Sequence, residues 1–191
     1  MAYTNINTLR HVVSHYIIYR RERSTKELRW FAIQRTLDDA VSLAARAKKP
    51  SGKRFSHQRR IPMSVLSESE HRLLRILPAL RQARSFEKLH KLVSLQIQPI
   101  KGIGELTIYD TSLRIAAKLG LEPSVVFLHA GTRIGAERLG IDASRETVSV
   151  TELPAPMRRL RPREIEDVLC IYKDQFAHKR GSSLKNLTCH A

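Results

Sequence analysis

The sequence predicts a mainly α fold, a compact helical domain, on three observations. Apolar residues recur at three-and-four spacing along most of the chain, and alternating Val/Ile/Thr runs are few. The eight prolines and eight glycines fall mostly between the periodic segments. A chain of 191 residues is long enough to bury one sizeable core, and no internal repeat points to a solenoid. The expected organisation is a basic helical pair with an arm over residues 1–62, joined in one compact unit to a helical core over 63–176. Residues 177–191 carry too little apolar content to pack and are expected to form a disordered tail.

Leu9, Val12, Val13, Tyr16 and Ile17 fall on one helical face, with Asn5 or Thr8 as its cap. A second helix is expected from residue 24 to about 48, because Ser24-Thr25-Lys26-Glu27 has capping-box spacing and Leu28, Phe31, Ala32, Leu37, Val41 and Ala44 mark a buried side. The two helices are expected to pair antiparallel, with the Arg-rich residues 20–23 at an exposed corner. Residues 46–62 hold seven basic side chains, no acid, and the turn formers Pro50, Ser51 and Gly52, the signature of a loop or arm.

A second capping box at Ser67 and Glu70 opens a helix with Leu73, Leu74, Leu77 and Leu80 inward, which Pro78 must kink or divide. Ser85 caps a helix striped by Phe86, Leu89, Leu92 and Val93. The next, from Glu105 to Leu119, buries Leu106, Leu113, Ala116 and Ala117 and stops at Gly120. Pro123 has the place of a first-turn proline, with Val125, Val126, Leu128, Ile134 and Leu139 continuing the core to Gly140. Residues 147–150 suit a short extended piece. Pro162 opens a final amphipathic helix to about Phe176, burying Ile165, Val168, Leu169 and Tyr172.

The stretch Ile97-Gln98-Pro99-Ile100-Lys101-Gly102-Ile103-Gly104 carries the strongest functional signal. Its two glycines leave the backbone bare at a bend and can take positive φ, and the helix that follows presents unpaired first-turn amides and a positive dipole end to an anion. The plainer alternative is a tight turn whose glycines serve packing only. Ile100-Lys101-Gly102-Ile103-Gly104, with a helix on either side, resembles the h-x-G-h-G hairpin of helix-hairpin-helix (HhH) DNA-binding proteins. The resemblance implies phosphate contacts from Lys101, Gly102, Ile103, Gly104 and Thr107.

Val126-Phe127-Leu128-His129 through Arg138-Leu139-Gly140 extends this likeness, over roughly residues 85–140, to the HhH base-excision DNA glycosylases. In that family a V-D-x-H element follows the hairpin and leads to an R-L-G-like helix. Here Phe127 stands at the family's catalytic aspartate, Leu106 at the lysine of its lyase-active members, and the spacing from His129 to Arg138 departs by a couple of residues. Phenylalanine can neither stabilise an oxocarbenium ion nor activate water. The resemblance therefore implies the hairpin fold and a DNA-like partner, and argues against ordinary glycosylase activity.

A net charge of +16, from 34 Lys and Arg against 18 Asp and Glu, favours a polyanionic partner, with nucleic acid the first expectation. Residues 1–62 carry fourteen basic against four acidic side chains, whereas residues 101–140 carry five against four. The division suggests a basic surface that supplies affinity and a hairpin that supplies register on DNA. Lys53, Arg54, Arg59 and Arg60 are the arm's phosphate-tracking candidates, and Phe55 or His57 its candidates for stacking on a base. A solvated charge run is the alternative for the arm, and structured RNA the alternative partner for the whole surface.

Cys170 and Cys189 fit neither a disulfide framework nor a four-ligand zinc site, and no metal or cofactor is expected. No segment has signal-peptide or membrane-span character, so the expected location is cytoplasmic, nucleoid-associated in a bacterium, with no membrane partner.

Candidate catalytic groups are Tyr109, Asp110 and His129, although Tyr109 also suits helix packing and Asp110 a local pairing with Arg114. Glu164, Glu166 and Asp167 have the chemistry to hold Mg²⁺, and equally suit the dipole of the helix that Pro162 opens. Gly131 and Gly135 offer either close approach to a ligand or close helix packing, the latter preferred because the stretch lacks a P-loop's Lys-Ser/Thr ending. The expectation is a non-catalytic or weakly specific DNA-binding protein. A divergent DNA-processing enzyme of glycosylase or nuclease type is the alternative.

Overall fold

A computed structural model describes residues 5–176 as nine α-helices and one short two-stranded ribbon, so the mainly helical expectation holds. The tail expected at 177–191, with Cys189, lies outside the described residues. The described residues gather into two compact units, one formed by residues 5–23 together with 124–176, the other by residues 24–123. No helix among the described residues is long and apolar enough to cross a membrane.

In the first unit, Asn5 caps α1 (Ile6–Tyr19), its side chain accepting from the Asn7 amide at 2.8 Å. The helix buries Leu9, Val12, Val13 and Tyr16 in a cluster with Val126, Leu128, Met157, Ile165, Val168 and Leu169. Its apolar face is thus covered from the C-terminal third of the chain.

Val126 and Phe127 (β1) pair antiparallel with Thr147 and Val148 (β2), Val126 lying opposite Val148. Of the extended piece expected at 147–150, Thr147 and Val148 form the second strand of this ribbon, whereas Val150 opens a 3-10 turn. Its first strand replaces the helix expected to start at Pro123, because Val125, Val126 and Phe127 suit a pleated, half-buried surface better than a helix.

α8 (Ala130–Arg138) then packs on α9 (Pro162–Ile171). A Cβ on Gly135 would collide with the Leu169 carbonyl, and one on Gly131 would fall 2.7 Å from Cys170 Sγ, so both glycines serve close helix packing. α9 stops at Ile171, short of its expected end, and a 3-10 turn then carries the chain to the buried Phe176.

The single helix expected over 24–48 is two: α2 (Arg21–Ala32), whose residues from 24 on belong to the second unit, and α3 (Leu37–Ala45) within that unit. Thr36 makes the break. Its Oγ1 accepts from the Asp39 amide at 3.0 Å while Asp39 Oδ2 accepts from the Thr36 amide at 3.0 Å, a reciprocal cap that starts a new helix. These bonds hold the Asp39 carboxyl below its ordinary range, the Thr36 side chain being the largest cause.

α4 (Met63–Arg75) begins directly after Pro62, before the capping box expected at Ser67. Ser69 within that box is buried and donates instead to the Val65 carbonyl at 2.9 Å. Pro78 separates α4 from α5 (Leu77–Arg81), as its ring chemistry requires.

α6 (Phe86–Ile97) opens on Ser85, whose Oγ accepts from the Lys88 amide at 3.2 Å. α7 (Glu105–Leu119) ends on Gly120 in the left-handed region at φ +68°. α6 and α3 both pack on α7 and on α4. The core includes Phe31, Val41, Leu66, Leu73, Phe86, Leu89, Val93, Ile97 and Ile115, each almost fully buried.

Candidate nucleic-acid interface

Ile97 and Ile100 are buried and pin the α6–α7 turn, in which the Ile100 amide donates to Ile97 O and the Ile103 amide to Ile100 O, each at 3.0 Å. Lys101, Gly102 and Gly104 are exposed, Ile103 is half-buried, and Thr107 is buried. Only Gly102 takes positive φ, at +100°. Gly104 sits at φ −106°, ψ 171° as the N-cap of α7, an extended conformation open to any residue, so the expectation that both glycines supply positive φ is corrected.

A Cβ built on Gly104 meets nothing within 4 Å, and no side chain caps α7. Gly104 thus starts α7 at an exposed bend with no side chain of its own and no side-chain cap. Glu105, also exposed, complements the helix dipole there.

The basic arm is an ordered loop. Lys49 N donates to Lys53 O at 2.8 Å, Gly52 N to Lys49 O at 2.9 Å, and Lys48 and Arg54 form an antiparallel bridge. Phe55 is buried, its ring facing Phe31 at 6.4 Å between centres and the Arg114 guanidinium at 3.9 Å, so it is not available to stack on a base. Arg54 is half-buried and donates to the Ile61 carbonyl at 2.6 Å, whereas Lys53, Arg59 and Arg60 are exposed.

Arg114 of α7 organises the underside of this loop. Buried itself, it donates to Gln58 Oε1 at 2.8 Å and to Asp110 Oδ2 at 3.2 Å. Burial pushes its pKa below the ordinary guanidinium value, and the Asp110 carboxylate opposes that shift. Asp110 also lies 2.5 Å from His57 Nε2, whose side chain keeps 39% of its surface exposed. The local Asp110–Arg114 pairing expected from the sequence is present, and it extends to the arm.

The catalytic candidates are each engaged within their own unit. Tyr109 is buried against Phe86, with ring centres 5.8 Å apart, and near His90 at 6.5 Å. Asp110 closes on His57 and Arg114 in the second unit. His129, buried in the first unit, places Nε2 2.5 Å from Glu166 Oε1.

The neighbouring carboxylates of α9 point to separate partners. Glu164 pairs with Arg21 at 2.9 Å and accepts from the Arg161 amide at 3.0 Å, while Asp167 accepts from the Tyr16 hydroxyl at 2.6 Å. Burial, and then the Asp167 charge, drive the Tyr16 pKa well up. Among the described residues no three His, Cys, Asp or Glu side chains are grouped to hold a metal ion.

Sequence reasoning missed one feature of the second unit, an open cleft of about 560 Å³ bordered by Trp30, Arg46, Lys48, Lys49 and Glu70. A continuous helix over 24–48 would have strung Trp30 and Arg46 along one rod. The Thr36–Asp39 box was the signal that the rod breaks. No protein-family model, curated protein or solved structure matches the chain.

Proposed function

We propose that this chain is a DNA-binding protein of low sequence specificity, a binding or recruiting component in which the α6–α7 turn holds a backbone phosphate and the basic loop adds affinity. What supports this most is Gly104, an exposed N-cap with no side-chain cap and open space where a Cβ would stand, directly before the first-turn amides of α7. Such amides, at the positive end of a fifteen-residue helix, suit a phosphate without any charged side chain. The exposed Lys53, Arg59 and Arg60 and the net charge of +16 support a polyanionic partner whose backbone dominates the binding. The reading is non-catalytic because Phe127 and Leu106 bring no carboxylate and no amine to the positions where the resemblance would need them.

Gly104→Asp tests it. Aspartate is a favoured N-cap, so the variant keeps the fold and its stability holds or rises, while its carboxylate occupies the proposed phosphate position. Duplex DNA affinity should fall at least about tenfold at low salt, since an interaction of about 1.4 kcal/mol is removed and a repulsion added. A folded Gly104→Asp protein that binds duplex as tightly as the parent contradicts the proposal.

A further inference from the structure

We propose that residues 24–123 carry a second nucleic-acid site: the cleft beside Trp30 takes an unpaired base on the indole and its flanking phosphates on Arg46, Lys48 and Lys49. The cleft owes its form to the way α3 ends. Lys48 N donates to Leu43 O at 2.9 Å and Ala47 N to Ala44 O at 3.1 Å, the paired bonds of a Schellman stop. The residue that must then turn left-handed is Ala47, at φ +53°, the one non-glycine among the described residues with positive φ. A strained alanine where glycine is usual swings Lys48 and Lys49 out of the helix line. They join Arg46, Leu43, Trp30 and, from α4, Glu70 around a cleft of about 560 Å³, within the size range of small-molecule sites.

The lining has the chemistry of a nucleotide site. Trp30 is half-buried, held edge-on by the buried Phe31 at 4.8 Å between ring centres and 73° between planes. Three cations border the cleft against one carboxylate, Glu70, which Arg46 Nε already neutralises at 2.5 Å. Lys48 Nζ donates to Gly52 O at 3.0 Å, and Lys49 Nζ lies 5.1 Å from the Phe55 ring centre. An ammonium has three donors and a guanidinium five, so these interactions leave hydrogen-bonding capacity for phosphate oxygens. An aromatic platform flanked by cations favours single strands, because duplex bases already have their faces stacked on one another.

The inference rests on the reading of the chain as a nucleic-acid binder, at residues distinct from the α6–α7 turn. The chain has a single tryptophan, so fluorescence excited at the red edge, beyond tyrosine absorption, reports this cleft alone. The full chain is titrated with oligothymidylate and with a duplex of equal length. Oligothymidylate should quench Trp30 more strongly than duplex, and Trp30→Leu should weaken oligothymidylate binding at least about fivefold while leaving duplex affinity unchanged. Lys48→Gln with Lys49→Gln should flatten the salt dependence for the single strand, and this pair decides the matter if Trp30→Leu does not fold.

Oligothymidylate binding without quenching, equal quenching by duplex, or an unchanged salt slope in the lysine pair overturns the proposal. Duplex binding with none of these single-strand effects leaves the reading of the turn standing and removes this one. Binding of neither nucleic acid removes both.

Discussion

The Arg114 guanidinium lies 3.9 Å from the centre of the Phe55 ring and donates to Gln58 and Asp110, tying α7 to the underside of the basic loop. The loop is therefore held in place by a buried cation rather than trailing in solvent. Phe55→Ala should cost about 3 kcal/mol of unfolding free energy, and Asp110→Ala about 2 kcal/mol or more, because it strips a carboxylate from a buried guanidinium. Phe55→Leu, which keeps most of the packing, should leave DNA affinity within about twofold of the parent. Urea unfolding and anisotropy titrations check these outcomes; a large affinity loss in a stable Phe55→Leu protein would mean that the ring does meet a base.

Two positions with positive φ should respond in opposite senses. Gly102→Ala forces a Cβ into the left-handed region and should cost about 1 kcal/mol, whereas Ala47→Gly relieves that strain and should leave stability unchanged or raise it by up to about 1 kcal/mol. Gly104→Ser, at an ordinary extended N-cap, should move stability by less than about 0.5 kcal/mol. Chemical denaturation of the three variants separates the residue that shapes the turn from the one that leaves it uncovered.

Much of this was legible in the chain because short-range chemistry dictates it. Ser85, Gly120 and Pro78 act within a turn of themselves, and each does what its side chain or φ preference requires. The failures came where tertiary partners decide. The sequence cannot show that the face of α1 is covered by residues from Val126 onward, or that Phe55 is drawn under Arg114. Thr36 was a different case, a local signal eclipsed by an apolar periodicity that runs through it. Among the candidate residues, Lys53, Arg59, Arg60, Lys101, Gly102 and Gly104 are exposed, whereas Arg54 is committed to the Ile61 carbonyl.

Neutralising Lys53, Arg59 and Arg60 to Gln, with Arg54 left to hold the loop, should flatten the slope of log K against log salt by about 0.9 for each phosphate no longer neutralised. Duplex titrations at several salt concentrations give the slope. An unchanged slope would assign these charges to solvent.

Acid should weaken the start of α3. The Asp39 carboxyl is held below its ordinary value of 3.8 by the Thr36 side chain and amide, so its contribution is fully present above that value and is lost as pH falls through the lower, folded-state pKa. The difference in Tm between the parent and Asp39→Ala should therefore shrink below about pH 3.8. A difference that stays constant down to full protonation would mean that the charge on Asp39 contributes nothing to this cap.

Amide chemical shifts of the ¹⁵N-labelled protein, followed as duplex DNA is added at low salt, report on the proposed phosphate site residue by residue. The largest shifts are expected at the amides of Gly104, Glu105, Leu106 and Thr107, with smaller ones at Lys53, Arg59 and Arg60, and loss of the first group in Gly104→Asp. Duplex binding that leaves those four amides unmoved would contradict the proposed site.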